Sequence, residues 1–174
     1  MRAFALTAKV ALLASGLLLA ACQSTAPALP PAAAFDQKAA AYIHAKGEGQ
    51  IDGQAFLVLP NGQTRLAAGE MIRLVPATAY ARERFAALYK GRKYLPASDI
   101  PTLPVDPSYA SFSRTTTATS AGHFRFEDVA PGDYFITAQK IYRTPGRWLP
   151  EGGAMYEAVS VKGEETVKVV IVGR

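Results

Sequence analysis

The chain has few residues of the types that carry out covalent or metal chemistry. Its only thiol belongs to Cys22, and its only imidazoles belong to His44 and His123. A His-rich or Cys/His metal site needs three or four such ligands. Catalysis by a serine nucleophile would need one imidazole beside an activated serine, and the chain contains no Gly-x-Ser-x-Gly elbow. We expect two solvated histidines, no metal and no cofactor.

The carboxylates give no better indication of catalysis. Glu127 and Asp128 are adjacent in sequence, as are Glu164 and Glu165. On a strand, adjacent side chains point to opposite faces, so neither pair can act together as general acid and base. The sequence therefore predicts that the protein is not an enzyme.

Cys22 stands at the end of an N-terminal segment with its own composition. Arg2 and Lys9 precede the apolar run Val10–Ala20, which is eleven residues long. This is the length of a signal-peptide core and too short for a membrane-spanning helix, which needs roughly 20 residues. We interpret residues 1–21 as a signal peptide that is removed before Cys22.

The residues leading into the cysteine, Leu19-Ala20-Ala21-Cys22, resemble the lipobox of bacterial lipoproteins. The resemblance implies that the Cys22 sulfur takes a diacylglyceryl thioether and that its amino group is acylated, for example by palmitate. Two or more chains anchor a protein firmly, because each buried methylene adds about 0.8 kcal/mol. Gln23 stands where an aspartate would favour the inner membrane, so the resemblance implies the outer membrane. The alternative is a signal-peptide cysteine without lipid.

Net charge argues against a nucleic-acid partner. The chain carries a formal charge of +5, and loss of Arg2 and Lys9 with the signal peptide would leave +3. Proteins that neutralise many phosphates concentrate Lys and Arg over a whole face, whereas acids are interspersed here. We expect no nucleic-acid binding.

Composition divides the remaining chain into two parts. Residues 22–46 are rich in Ala and Pro and predict an extended tether that holds the domain away from the membrane. Residues 47–174 follow a two-residue rhythm with frequent turns, which predicts one all-β domain. The seven predicted strands span 50–59, 70–75, 111–119, 123–127, 133–141, 154–161 and 164–172. A helix is predicted over 77–90, with Thr78 as N-cap and Gly91 as stop, followed by a proline-rich loop over 95–107.

Residues 122–136, with the sequence GHFRFEDVAPGDYFI, resemble the signature of carboxypeptidase regulatory-like domains. The opening of the first strand, residues 49–55, is also similar to these domains, in which a glycine replaces a side chain where strands pack closely. The resemblance covers residues 47–174 and implies a seven-stranded transthyretin-like (prealbumin-like) β-sandwich. The predicted helix departs from the family pattern as an insertion.

Two clusters of aromatic and basic residues could bind a ligand. Arginine forks suit phosphate or carboxylate groups, and aromatic rings suit the faces of sugars. The candidate ligand-binding residues are Tyr80, Arg82, Arg84, Tyr89, Arg92, Tyr94, Arg147 and Trp148. The alternative is structural: Phe85 and Leu88 cap the sandwich, the charges form its solvated face, and Trp148 packs under a loop.

These observations favour a non-catalytic domain that is anchored in the cell envelope through lipidated Cys22. Its predicted partner is a protein or an envelope component. The alternative is a module that binds glycan or peptidoglycan through Tyr80, Tyr89, Tyr94 and Trp148.

Overall fold

A computed structural model describes residues 33–103 and 105–174. The α-helices are α1 (Gln37–Ala40) and α2 (Ala79–Tyr89), and short 3-10 helices span Ala41–His44, Ala97–Asp99 and Tyr109–Ser111. The strands are β1 (Lys46–Val58), β2 (Thr64–Leu66), β3 (Met71–Pro76), β4 (Tyr94–Pro96), β5 (Arg114–Thr117), β6 (His123–Val129), β7 (Gly132–Tyr142), β8 (Glu151–Val161) and β9 (Thr166–Gly173). The predicted signal peptide, Cys22 and the first part of the predicted tether lie outside the described residues.

The strands form two sheets that face each other. In the first sheet β1 is central, with β9 parallel on one side and β6 and β2 antiparallel on the other. The second sheet has the order β4-β8-β7-β3-β5 and is antiparallel throughout. The all-β sandwich predicted from the sequence is confirmed.

The core between the sheets follows the predicted alternation. Ile72 and Leu74 of β3 are fully buried, and Phe124 and Phe126 of β6 point into the same core. Gly53 confirms the close packing predicted for the first strand, because a Cβ there would lie 2.3 Å from the Phe124 ring. Period-two patterning therefore placed the main core correctly.

A second core lies on the other face of the second sheet, under α2. Phe85 of the helix stacks on Phe135 of β7 with ring centroids 4.3 Å apart, and Tyr89 meets Tyr156 of β8 at 4.4 Å. The Thr78 side chain caps the helix by accepting from the Ala81 amide at 3.3 Å, as predicted. Since α2 covers the outer face of β7 and β8, these strands are buried on both sides.

Two strands were not predicted. β2 and β4 have three residues each, so they add to the seven strands counted from the sequence. The predicted start of the loop at residue 95 is too early, because Leu95 and Pro96 still pair with Ala154 and Gly153 of β8. β4 is an edge strand, where a proline without an amide hydrogen is tolerated.

The segment just before β1, assigned to the tether by its composition, packs on the sandwich. The Phe35 ring makes edge contacts with Tyr80, Tyr109 and Phe112 at 5.3–5.5 Å. Tyr42 donates its hydroxyl hydrogen to the Asp133 carbonyl and accepts from the Ala77 amide. The folded part of the chain therefore begins upstream of the predicted boundary at residue 47. The difference arises because the segment contains large aromatic side chains, which bury apolar surface against the sandwich. The small Ala and Pro residues around them have little such surface to bury.

One hydroxyl in this aromatic cluster is buried without a hydrogen bond among the described residues, that of Tyr109. Burial raises the pKa of Tyr109 to about 12. The ordinary value is near 10, so the stability contributed by the neutral phenol is complete below about pH 10 and is lost as the pH rises towards 12.

We expect Tyr109→Phe to leave the free energy of unfolding unchanged at neutral pH or raise it by up to about 1 kcal/mol, because it removes an unpaired buried hydroxyl. The gain over wild type should grow at about pH 11. Urea unfolding at both pH values measures it. Tyr134→Phe is the matched control: it removes the 2.7 Å hydrogen bond to the Ala130 carbonyl and should cost about 1 kcal/mol. A loss as large in Tyr109→Phe would contradict the assignment.

Candidate functional site

The structure separates the predicted ligand-binding residues into two groups, and the first group is structural. Tyr80 and Tyr89 are buried in the aromatic clusters around α2. The Tyr80 hydroxyl accepts from the Asp106 amide at 3.0 Å. Tyr89 also lines, with Arg84 and Tyr109, a small cavity of about 170 Å³ beside α2. Both tyrosines therefore fit the structural alternative, in which the apolar residues of the helix cap the sandwich, better than they fit the ligand-binding prediction.

The arginines of the same cluster lie on α2 and in the turn that follows it. Arg82 pairs with Asp133 at 2.9 Å. The Arg84 guanidinium lies 6.0 Å from the Tyr109 ring centroid, and Arg92 is exposed beyond the end of the helix. None of the three lines the cavity that contains the other predicted residues.

Tyr94 and Arg147 meet at a cavity of about 480 Å³, the end cleft, at one end of the sandwich. It lies where β1, β4, β8 and β9 meet the segment between β7 and β8. The lining residues are Leu57, Val58, Leu59, Pro60, Tyr94, Pro96, Ala97, Ser98, Tyr142, Arg147, Pro150, Glu151, Gly152, Gly173 and Arg174. Apolar side chains and rings with a few polar groups are typical of a small-ligand site.

Tyr94 forms one wall of the end cleft and is held there by two contacts. Its hydroxyl donates to the Gly152 carbonyl at 2.7 Å. Its ring lies against Gly173, where a Cβ would come within 2.7 Å of the ring and 2.3 Å of Leu57. Burial raises the pKa of Tyr94, so its hydroxyl stays a neutral donor at physiological pH. The wall is therefore fixed before any ligand arrives.

Tyr142, at the end of β7, provides a second ring. The Arg65 guanidinium of β2 lies 3.8 Å from its centroid. A cation this close to an aromatic face is an attractive contact, and it fixes one face of the ring. The sequence analysis missed this pair, because Arg65 and Tyr142 belong to different sheets and no local pattern joins them.

The segment between β7 and β8, residues 143–150, contributes Arg147 and Pro150 to the lining of the end cleft. Arg147 pairs with Glu151 at 3.1 Å, and Arg143 donates to the Trp148 carbonyl at 3.5 Å. Trp148 follows Arg147 and is 94% exposed, while its neighbour Leu149 is 69% exposed. The packing of Trp148 under a loop, stated as the structural alternative, is therefore wrong. Trp148 and Leu149 together form an exposed apolar pair, which makes this segment a candidate contact surface.

A larger and more open cavity of about 730 Å³ lies beside the central strands of the first sheet. Asp52 and Arg125 are cross-strand neighbours in its lining with contacts of 2.6 and 3.1 Å, and the hydrogen bonds from Arg125 lower the pKa of Asp52. Gln54 donates to the Ala121 carbonyl at 2.9 Å. The end cleft differs from this cavity in having two tyrosine rings, Tyr94 and Tyr142, in its lining.

Within residues 33–103 and 105–174, no three or more His, Cys, Asp or Glu side chains are grouped so that they could hold a metal ion. The two imidazoles, His44 and His123, are exposed and belong to different parts of the fold. Within the same ranges, no helix has the length and apolar character needed to cross a membrane.

No family model and no curated protein matches the chain. Among solved structures, the chain is similar to a candidate carbohydrate-binding protein from Pseudomonas aeruginosa, with a TM-score of 0.66 and 26% identity over 80% of this chain and 97% of that chain. A minor pilin from Streptococcus agalactiae aligns with a TM-score of 0.38 and 18% identity, over 74% of this chain and 44% of that chain. A likeness at this score supports no inference about fold or function. The first likeness agrees with the β-sandwich architecture.

Proposed function

We propose that this protein is a non-catalytic domain of the cell envelope, anchored through lipidated Cys22, that binds a carbohydrate at the end cleft. The observation that carries the proposal is the pair of tyrosine rings, Tyr94 and Tyr142, in the lining of the end cleft, next to the exposed Trp148 that follows the lining residue Arg147. The resemblance of residues 122–136 to carboxypeptidase regulatory-like domains supports a transthyretin-like classification, in which such a sandwich serves as an accessory module.

The chemistry of the end cleft suits a sugar. Sugar rings have an apolar face that packs on aromatic rings and an edge of hydroxyls that needs hydrogen-bond partners. Tyr94 and Tyr142 supply rings in the lining, and the exposed Trp148 follows the lining residue Arg147. Ser98 and Arg147 supply polar groups at the rim, and both are exposed to an incoming ligand. The lining residues among these come from two parts of the chain, residues 94–98 and residues 142–147.

The likeness to a candidate carbohydrate-binding protein supports the same proposal. The alignment covers 97% of that chain with a TM-score of 0.66, so the likeness extends over nearly its whole length. At 26% identity, the comparison indicates a similar architecture in the two proteins but not a shared set of binding residues. The support is therefore at the level of the domain, and the choice of residues rests on the end cleft itself.

The second candidate ligand is a protein. Leu149 and Ile141 are exposed apolar residues on either side of the basic segment, and exposed apolar side chains favour protein contacts more than sugar contacts. Trp148 would then be the anchor residue of an interface. The carbohydrate is preferred because rings and polar groups are placed around a concave opening.

Trp148 is the only tryptophan of the chain, so its fluorescence reports binding directly. We expect peptidoglycan fragments or N-acetylglucosamine oligosaccharides to shift and change its emission in full chain carrying Cys22→Ala, because stacking removes the indole from water. Isothermal titration should give the same affinity. Trp148→Phe should keep much of this calorimetric affinity, and Trp148→Ala should lower it by at least about tenfold, roughly 1.4 kcal/mol.

Tyr80→Phe is the matched aromatic control, since Tyr80 is buried away from the end cleft, and its affinity should equal that of wild type. Equal affinity of Trp148→Ala and wild type, or the absence of binding to every oligosaccharide, would overturn the carbohydrate proposal. Binding of an envelope protein that Trp148→Ala abolishes would favour the second candidate instead.

The anchor has a separate test. Metabolic labelling with an alkyne fatty acid should label the wild-type chain and fail to label Cys22→Ala, because the thioether and the acylated amino group both require Cys22. Gln23→Ala is the neighbouring control and should stay labelled. Density fractionation should place the labelled chain in the outer membrane. Label on Cys22→Ala, or none on wild type, would contradict the anchor.

A further inference from the structure

The small cavity beside α2, which we call the helix cavity, has a volume of about 170 Å³ and shares no lining residue with the end cleft. Arg84, one of the ligand-binding residues predicted from the sequence, belongs to its lining. We propose that the helix cavity binds a small carboxylate that carries an apolar group. This site is separate from the carbohydrate site and does not depend on it.

Among the described residues, the charged side chains in the lining of the helix cavity are two arginines on different elements. Arg73 lies on β3 and Arg84 lies on α2. Both are half-buried, so salt screens their charges less than it screens those of fully exposed groups. Burial raises the pKa of Tyr109, another lining residue, and the charges of Arg84 and Arg73 both act to lower it. The two guanidinium groups therefore approach the same side of the cavity from two elements.

The positive charge of Arg73 is not neutralised by its hydrogen bonds. Its Nη1 donates to the Ser113 hydroxyl at 2.8 Å, and its Nη2 lies 3.7 Å from the Met71 sulfur, so both partners are uncharged. An adjoining cavity of about 210 Å³, which Arg73 also lines, contains the acidic residue Glu70. Glu70 is paired with Lys140 at 2.7 Å. An anion in the helix cavity would therefore meet attraction from both arginines.

The other walls of the helix cavity indicate what the anion is attached to. Phe85 and Leu88 of α2, Val75 of β3 and Ala154 of β8 give the lining a large apolar part. A guanidinium presents a planar fork that matches a carboxylate, and an apolar group joined to that carboxylate would pack on these side chains. The volume is about a third of the 480 Å³ of the end cleft, which limits the ligand to a small molecule.

The test compares a small carboxylate with a neutral molecule of nearly the same shape. Full chain carrying Cys22→Ala, labelled with ¹⁵N, is titrated with benzoate, benzamide, acetate and inorganic phosphate, and the amides of Thr137 and Gln139 in the lining are followed by NMR. We expect benzoate to shift both amides and to bind at least about tenfold more tightly than benzamide, because benzoate alone of the two is charged. Acetate lacks the apolar group and phosphate lacks the planar fork partner, so both should bind more weakly than benzoate.

Arg84→Gln and Arg73→Gln should each weaken benzoate binding several-fold and leave the benzamide affinity unchanged, because each removes one of the two charges. Arg82→Gln is the matched control, since Arg82 lies on the same helix but pairs with Asp133 at 2.9 Å and is not part of the lining. This control should bind benzoate as the wild type does. Thermal unfolding verifies that each variant is folded, and the comparison of benzoate with benzamide needs no substitution in the domain.

Equal affinities for benzoate and benzamide, or the absence of shifts at Thr137 and Gln139, overturn the inference. Phosphate that binds as tightly as benzoate also overturns it, because the cavity would then be a general anion site. Benzoate that shifts the amides of Gly152 and Gly173 instead would place the carboxylate in the end cleft and contradict the inference. Oligosaccharide binding is measured separately through Trp148 emission, so neither result decides the other.

Discussion

The close approach of the Tyr94 ring to the backbone at Gly173 is the contact on which the candidate site depends. Any side chain at position 173 would collide with this ring and with Leu57. Because the ring fits there, β4 can pair with the end of β8, and the Tyr94 hydroxyl reaches the Gly152 carbonyl. The contact joins both sheets at one end of the sandwich and shapes the opening above them. A wall built in this way costs a ligand little ordering entropy.

Helix α2 determines which surfaces remain for a partner. It covers the outer face of the second sheet with Phe85 and Tyr89, and the segment containing Phe35 packs beside it. That face is consequently core rather than surface. The end cleft and the outer face of the first sheet stay open, and the latter already pairs Asp52 with Arg125. The end cleft is therefore one of two surfaces that α2 leaves open, and it lies beside the segment that contains Trp148.

The sequence predicted the sandwich because alternation is a local signal. Ile72, Leu74, Phe124 and Phe126 could be placed by period two alone. β2 and β4 could not, since three residues establish no rhythm. Tyr80 was assigned to a ligand because an aromatic residue on an amphipathic helix suits a core and a binding face equally, and only the packing of Phe35, Tyr80 and Tyr109 decides between them. The Arg65 and Tyr142 pair is a long-range contact that no spacing reveals.

The most direct test of the central claim is to map the binding surface by NMR. Full chain carrying Cys22→Ala, labelled with ¹⁵N, would be titrated with N-acetylglucosamine oligosaccharides. If the end cleft is the site, the amides of Gly152 and Gly173 and the indole N–H of Trp148 shift together, while the amides of Arg125 and Lys168 stay in place. Shifts confined to Arg125, Lys168 and their neighbours would contradict the claim, because they would place the ligand on the first sheet.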